Sequence, residues 1–190
     1  TFDLHLNASL HEISDKAESM LESIDALLSL AAVLRTHYIR VLPLDMLSML
    51  RNLIDTRLAY LITTYQGKIT LPDSLPFAKG HAVLVEEVWI NYLSNALKYS
   101  GEPCSIRVGA EQGEAGMINF WVRDQGKELN IKECESLFNP PLSLQDKSAK
   151  GHSLGLLIVR QIIEKLGGKV WIESKQGIGN TFYFSLPAAE

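Results

Sequence analysis

The sequence is poor in cysteine, has no excess of basic residues and contains no long apolar run. Its two cysteines, Cys104 and Cys134, lie in no Cys/His metal spacing, so we expect reduced thiols rather than a disulfide. Eighteen basic residues are outnumbered by 22 acidic ones, and the net charge of −4 gives no electrostatic reason to expect nucleic acid as a partner. No segment approaches the roughly 20 apolar residues of a membrane span, and no signal peptide is visible. We therefore expect a cytoplasmic location, with a membrane reached only through segments upstream of residue 1.

Residues 4–40 contain no proline or glycine and repeat an apolar heptad. One seam of this heptad is Leu10, Ala17, Ile24 and Ala31, and the other is Leu6, Ile13, Met20, Leu27 and Leu34. A single helix cannot bury such a stripe alone, so the pattern favours a helical bundle formed by self-association. The alternative is a long helix that packs against its own domain.

Pro43 interrupts this pattern and marks the start of a second domain at residue 42. The pattern predicts helices at about 45–64, 82–99 and 152–166, and strands at about 68–71, 105–110, 117–123, 169–174 and 181–186. It predicts loops at 72–80 and in the polar stretch after residue 123. Helices mixed with hairpin-connected strands indicate an α+β fold, an α/β sandwich with a mixed sheet and helices on one face.

The predicted helix 82–99 carries a polar stripe opposite its apolar side. Glu87, Asn91, Asn95 and Lys98 are spaced by four, four and three residues and fall on one face. A solvated helix face is the simplest interpretation, yet asparagine is a poor helix former and two occur four residues apart. Amide oxygens suit a magnesium ion that already carries nucleotide phosphates. We predict Asn95 as the metal-binding amide.

Asn91-Tyr92-Leu93-Ser94-Asn95-Ala96-Leu97-Lys98-Tyr99-Ser100 resembles the N box of histidine kinases in the GHKL ATPase superfamily. Further matches follow in order. Val122-Arg123-Asp124-Gln125-Gly126 resembles the first glycine box, Leu137-Phe138 the F box, Gly151-His152-Ser153-Leu154-Gly155-Leu156 the second glycine box, and Gly177-Ile178-Gly179-Asn180-Thr181 the final element. Glu128 and Ser153 replace family glycines. The resemblance covers residues 43–187, and residues 4–40 resemble the second helix of the kinase dimerisation hairpin.

This resemblance implies an ATP-binding catalytic domain at 42–190, preceded by a dimerisation-domain helix at 1–41 that forms a homodimer. It implies ATP and Mg²⁺ as ligands, with Asp124 accepting a hydrogen bond from the adenine amino group and the Thr181 hydroxyl beside it. The implied ATP-binding residues are Asn91, Asn95, Lys98, Tyr99, Asp124, Gly126, Gly151, His152, Ser153, Leu154, Gly155, Leu156 and Thr181. Of these, Asn91, Asn95 and Lys98 are the expected catalytic residues. Residues 139–151 would form a lid over the nucleotide.

Asn91 occupies the position where hydrolytic members of the superfamily carry a glutamate base. Because an amide cannot act as a base, the resemblance implies transfer of the γ-phosphoryl group to a protein side chain. We expect that side chain to be a histidine upstream of Thr1, because His11 fits the heptad as an exposed residue. The resemblance also implies a response regulator receiver domain as partner. Two alternatives are a degenerate kinase-like scaffold that senses nucleotide or binds partners, and a serine kinase of the anti-sigma type.

Overall fold

The computed structural model describes residues 40–138 and 152–189, together with Ile24, Leu28 and Ala31. Those three isolated residues are helical. Residues 40 and 41 are described and are not helical. The rest of the predicted helix 1–41 and the predicted lid 139–151 lie outside the described residues. A membrane-spanning helix is absent from the described part of the chain, since none of its helices is both long and apolar enough.

The described elements mix helices with hairpin-connected strands, as the sequence pattern predicts. The helices are α1 (Met46–Asp55), α2 (Ala59–Thr64), α3 (Ala82–Tyr99), α4 (Ile131–Leu137) and α5 (His152–Lys165). The strands are β1 (Leu42–Leu44), β2 (Lys68–Thr70), β3 (Ala78–Gly80), β4 (Ser105–Gln112), β5 (Met117–Arg123), β6 (Val170–Lys175) and β7 (Gly179–Pro187).

Five strands form the main sheet in the order β2-β4-β5-β7-β6. The pair β2–β4 is parallel and the other pairs are antiparallel, so the predicted mixed sheet is confirmed. Helices α3 and α5 pack against each other and against this sheet. Their shared core centres on Trp89, whose ring meets Phe184 edge-on at 4.8 Å and Phe120 at 6.0 Å. The predicted α/β sandwich is therefore present.

The other face of the sheet carries an aromatic row. Trp171 stacks on Tyr183 at 4.8 Å, and Trp121 lies flat over Gly109, where any Cβ would overlap its ring. Because side chains alternate along a strand, Tyr183 on this outer face places Phe182 and Phe184 in the core. The same alternation decides which residues at the start of β7 face the candidate site.

Three expectations about local structure are wrong. The helix predicted at 45–64 is two helices, because Leu58 donates its backbone N–H to Leu53 in a wide turn that buries the Leu58 side chain completely. Residues 78–80 are not loop, since β3 pairs with β1 in a separate two-stranded ribbon. The polar stretch after β5 contains α4. Asn130 and Glu133 cap this helix reciprocally, a capping-box spacing that the sequence displays.

Candidate functional site

Helix α3 presents its predicted polar stripe because its apolar side is fully used by the core. Val85, Val88, Trp89, Leu93 and Ala96 are completely buried. The opposite face therefore carries Glu87, Asn91, Asn95 and Lys98, each only partly buried. The structure confirms the geometry of this stripe.

Asn91 is held rigidly and lies against the first turns of α5. Its Nδ2 donates to the backbone oxygen of Glu87 at 2.8 Å, which turns Oδ1 toward Gly155. A Cβ at residue 155 would overlap Asn91 Oδ1, so only glycine permits this approach. Leu156, 1% exposed, anchors the same turn in the core, and Leu154 is half-buried. The polar stripe and the start of α5 therefore form two adjacent walls.

The side-chain amide of Asn95 has a hydrogen-bond donor without a partner among the described residues. Its Nδ2 atom is buried, and among the described residues it has no hydrogen-bond partner. Buried side-chain amides are normally satisfied, so an orphaned one is a feature expected where a ligand completes the site. Because Nδ2 is a donor, the observation suits a phosphate oxygen as its partner, whereas the predicted metal-binding role would fall to Oδ1 and stays a prediction.

The loop after β5 is fastened to the C-terminal end of α3. The backbone N–H of Gln125 donates to Ser100 Oγ at 3.3 Å, and Ser100 is 1% exposed. Gly126 lies so close to the Tyr99 carbonyl oxygen that a Cβ there would stand 2.7 Å from it. Tyr99 contributes this carbonyl contact, while its side chain is 44% exposed. Asp124 and the α3 stripe are thereby brought to the same end of the domain.

Asp124 directly follows β5 and is a buried carboxylate, 3% exposed. Its Oδ1 accepts hydrogen bonds from the Gly126 N–H at 2.7 Å and from Asn180 Nδ2 at 3.2 Å. Within the described residues no hydrogen bond to Oδ2 is present, and the backbone N–H of Asn180 also favours the ionised carboxyl. Burial raises the pKa of this carboxyl above its ordinary value, and the Gly126 and Asn180 donors oppose that rise. A buried acceptor with one unused oxygen can read an amino group on a ligand.

The structure places Asn180, not Thr181, beside Asp124. The Thr181 hydroxyl accepts a hydrogen bond from Arg123 Nε at 2.9 Å, on the outer face of the sheet. Asn180 lies on the opposite side of β7, and its amide contacts Asp124 and the Lys127 carbonyl. The sequence expectation was displaced by one residue, which in a strand changes the face.

A family model described as "Histidine kinase-, DNA gyrase B-, and HSP90-like ATPase" matches residues 80–190. The chain belongs to this ATPase family. The match confirms the resemblance seen in the N box and glycine boxes, and it begins where β3 ends and α3 follows.

Curated relatives of this ATPase domain are named as kinases. The Adaptive-response sensory kinase SasA of Thermosynechococcus vestitus is 31% identical over 134 residues, covering 70% of this chain and 35% of that protein. The Methanogenesis regulatory histidine kinase FilI of Methanothrix harundinacea is 36% identical over 123 residues, covering 63% of this chain and 14% of that protein. The chain thus spans about a third or less of the length of these relatives.

Solved structures share the fold. Full-length ShkA in complex with AMPPNP superposes with a TM-score of 0.74 at 21% identity, covering 92% of this chain and 37% of that one. A nucleotide-free catalytic domain of the histidine kinase ThkA gives a TM-score of 0.65 at 22% identity, covering 79% of this chain and 97% of that one. At these identities the likeness establishes the architecture of the ATPase domain.

Part of the second glycine box of this ATPase domain lies beyond the described residues. Gly151 falls in the gap, and His152 and Ser153 are described only as the helical start of α5. Glu128, which replaces a family glycine in the first box, is described and does not adopt a positive φ. That position therefore accepts a side chain without backbone strain.

Proposed function

We propose that this chain is the ATP-binding catalytic module of a two-component histidine kinase. Asp124 is the single observation that carries the proposal, because its Oδ1 is held by two donors while Oδ2 accepts nothing among the described residues. Membership of an ATPase family supports ATP as the ligand, and the kinase names of the curated relatives support phosphoryl transfer.

The proposed roles follow from the arrangement of the site. Asp124 Oδ2 accepts a hydrogen bond from the adenine amino group. Asn95 and Asn91, one turn earlier on α3, would hold Mg²⁺, which when bound neutralises charge on the phosphates. Lys98, one turn along α3, meets the same phosphates, and the N-terminal end of α5 offers them backbone N–H groups and the positive end of its dipole.

We propose that the γ-phosphoryl group passes to a histidine of the dimerisation domain rather than to water. Asn91 donates to the Glu87 carbonyl and has no basic group with which to activate water. A histidine upstream of residue 1 is the proposed acceptor, residues 1–41 mediate a homodimer, and a response regulator receiver domain takes the phosphoryl group onward. Positioning and charge neutralisation then supply the catalysis.

Calorimetry with ADP and Mg–ATP tests the nucleotide role. The domain should bind both, and Asn95→Ala should remove the magnesium dependence of ATP binding while leaving ADP binding without metal unchanged, because Asn95 lies on the phosphate side of the site. Asn119→Ala, an asparagine on the outer face of β5, is the matched control. A scaffold that binds no nucleotide gives no heat in any arm and contradicts the proposal.

A further inference from the structure

Asn180, the second residue of β7, lies at the centre of a buried hydrogen-bond network. It is 6% exposed, and all three of the bonds its amide makes are to protein atoms. Nδ2 donates to Asp124 Oδ1 at 3.2 Å and to the Lys127 carbonyl at 3.1 Å, and Oδ1 accepts from Ser174 Oγ at 2.7 Å. Both amide protons are therefore committed to the loop that follows β5.

The direction of this network is fixed by a backbone group that can only accept. The Lys127 carbonyl takes a proton from Asn180 Nδ2, so the donor end of the amide faces Asp124 and Lys127. The acceptor end, Oδ1, then faces Ser174 Oγ, which donates to it at 2.7 Å and accepts from the Leu129 N–H at 2.9 Å. The polarity runs from Leu129 through Ser174 and Asn180 to Asp124 without ambiguity.

The result is a carboxylate with one oxygen occupied and one free. Asn180 and Gly126 both donate to Asp124 Oδ1 and restrict the rotation of the carboxylate, so Oδ2 is the oxygen left to accept from a ligand. Such an acceptor pairs with a 6-amino group, whereas the 6-oxo group of hypoxanthine offers another acceptor. The amide of Asn180 has no proton left for the ligand, so its effect acts through Asp124.

We propose that Asn180, oriented by Ser174, is a positioning residue that holds Asp124 as a hydrogen-bond acceptor and so selects 6-aminopurine over 6-oxopurine nucleotides. This inference rests on the proposed nucleotide-binding function. Base selectivity then depends on Asn180 and Ser174, which act through Asp124 rather than by contact with the base.

The test compares ADP with inosine diphosphate, which differs at position 6 of the base. Calorimetry at pH 7.5 should give a preference for ADP in the unaltered chain. Asn180→Ala should weaken ADP about tenfold, because Asp124 is then no longer held in the orientation that presents Oδ2 to the 6-amino group, and should affect inosine diphosphate less. Ser174→Ala should weaken ADP about threefold, and Asn119→Ala should change neither ligand.

A pH profile separates this role from a merely structural one. Loss of the Asn180 donor raises the pKa of Asp124, so the acid-side loss of ADP binding should move to higher pH in Asn180→Ala. Asn180→Asp keeps nearly the same shape but places a second carboxylate beside Asp124. The two carboxylates repel each other unless they share a proton, which requires a lower pH. The ADP affinity of this variant should rise as pH falls from 8 to 6, whereas that of the unaltered chain should stay level or fall.

The outcomes are distinguishable. An unaltered chain that binds neither nucleotide refutes the proposed function itself. If the unaltered chain prefers ADP and Asn180→Ala shows the same affinity, preference and pH profile, the role of Asn180 is refuted and the proposed function stands. If Asn180→Ala does not fold, as judged by circular dichroism, Asn180→Asp decides: an affinity that falls with acid as in the unaltered chain overturns the inference.

Discussion

Asp124→Asn should weaken nucleotide binding and at the same time stabilise the fold. The substitution keeps the shape of the side chain, and an asparagine Oδ1 can still accept from the Gly126 N–H and from Asn180. Only Oδ2 changes, from an acceptor to an NH₂ donor. In a side chain that is only 3% exposed, that change removes a charge that is largely withdrawn from water.

The loss of binding follows from the number of hydrogen bonds involved. One hydrogen bond to a charged group contributes about 1.5–3 kcal/mol, which is a factor of roughly ten to a hundred in affinity. The new donor would face the adenine amino group, which is also a donor, so the effect should lie toward the upper end of that range. Inosine diphosphate should gain relative to ADP, because its 6-oxo group can accept from the new NH₂.

The gain in stability follows from the raised pKa of Asp124. A carboxyl whose pKa is higher in the folded state contributes stability below its unfolded pKa and loses it as pH rises through the folded pKa. At neutral pH the ionised carboxylate therefore costs stability, and the neutral amide avoids that cost. A gain of about 0.5–2 kcal/mol is usual when an unfavourable functional group is relieved.

Urea unfolding of both chains between pH 4 and pH 8 measures this difference directly. The stability advantage of Asp124→Asn should be small in acid and should grow toward neutral pH. An advantage that shrinks as pH rises would mean that the carboxylate is stabilised by its two donors more than it is penalised by burial. The electrostatic account of the site would then be wrong, whatever happens to binding.

Two substitutions test the remaining contacts of the site. Gly155→Ala should weaken Mg–ATP binding about tenfold in calorimetry with little loss of stability, because a Cβ at that position displaces Asn91 Oδ1; unchanged binding would remove Asn91 from the site. Thr181→Val should lower the free energy of unfolding in urea by about 1 kcal/mol, because the hydrogen bond with Arg123 is lost, and should leave ADP affinity unchanged. A tenfold loss of ADP affinity would instead support the predicted place of the Thr181 hydroxyl beside the adenine.

The sequence predicts the long elements well because periodic burial dominates them. The bounds of α3 and β5 agree with the pattern. Trp89 in α3 and Phe120 in β5 are fully buried, and another alignment of either element would expose such a residue. Short elements are missed for a physical reason. The ribbon β1–β3 has three residues in each strand and depends on pairs such as Leu44 with Ala78, which are 34 positions apart. A local pattern does not encode such pairing.

Within the site, the sequence identifies the right loops but not the direction of every side chain. Helical spacing singles out Asn91 and Asn95, and the family resemblance singles out Asp124 after a strand; their roles in binding stay predictions. Asn180 is missed, since the choice between it and Thr181 depends on strand register, and a shift of one residue reverses the face. The sequence did carry a signal for Asn180, because this amide directly follows the glycines of the last hairpin and its strand pairs with the strand that precedes Asp124.

Glycines in a motif matter only where the backbone demands them, and the first glycine box shows the difference. At Gly126 a Cβ would stand 2.7 Å from the Tyr99 carbonyl oxygen, and Gly179 has a φ of 96°. Glu128 meets neither condition, because its φ is not positive and the loop around it is held at Lys127 by Asn180 and at Leu129 by Ser174. The replacement of glycine by glutamate therefore leaves the loop that presents Asp124 intact. The degenerate-scaffold hypothesis loses the support it drew from that position.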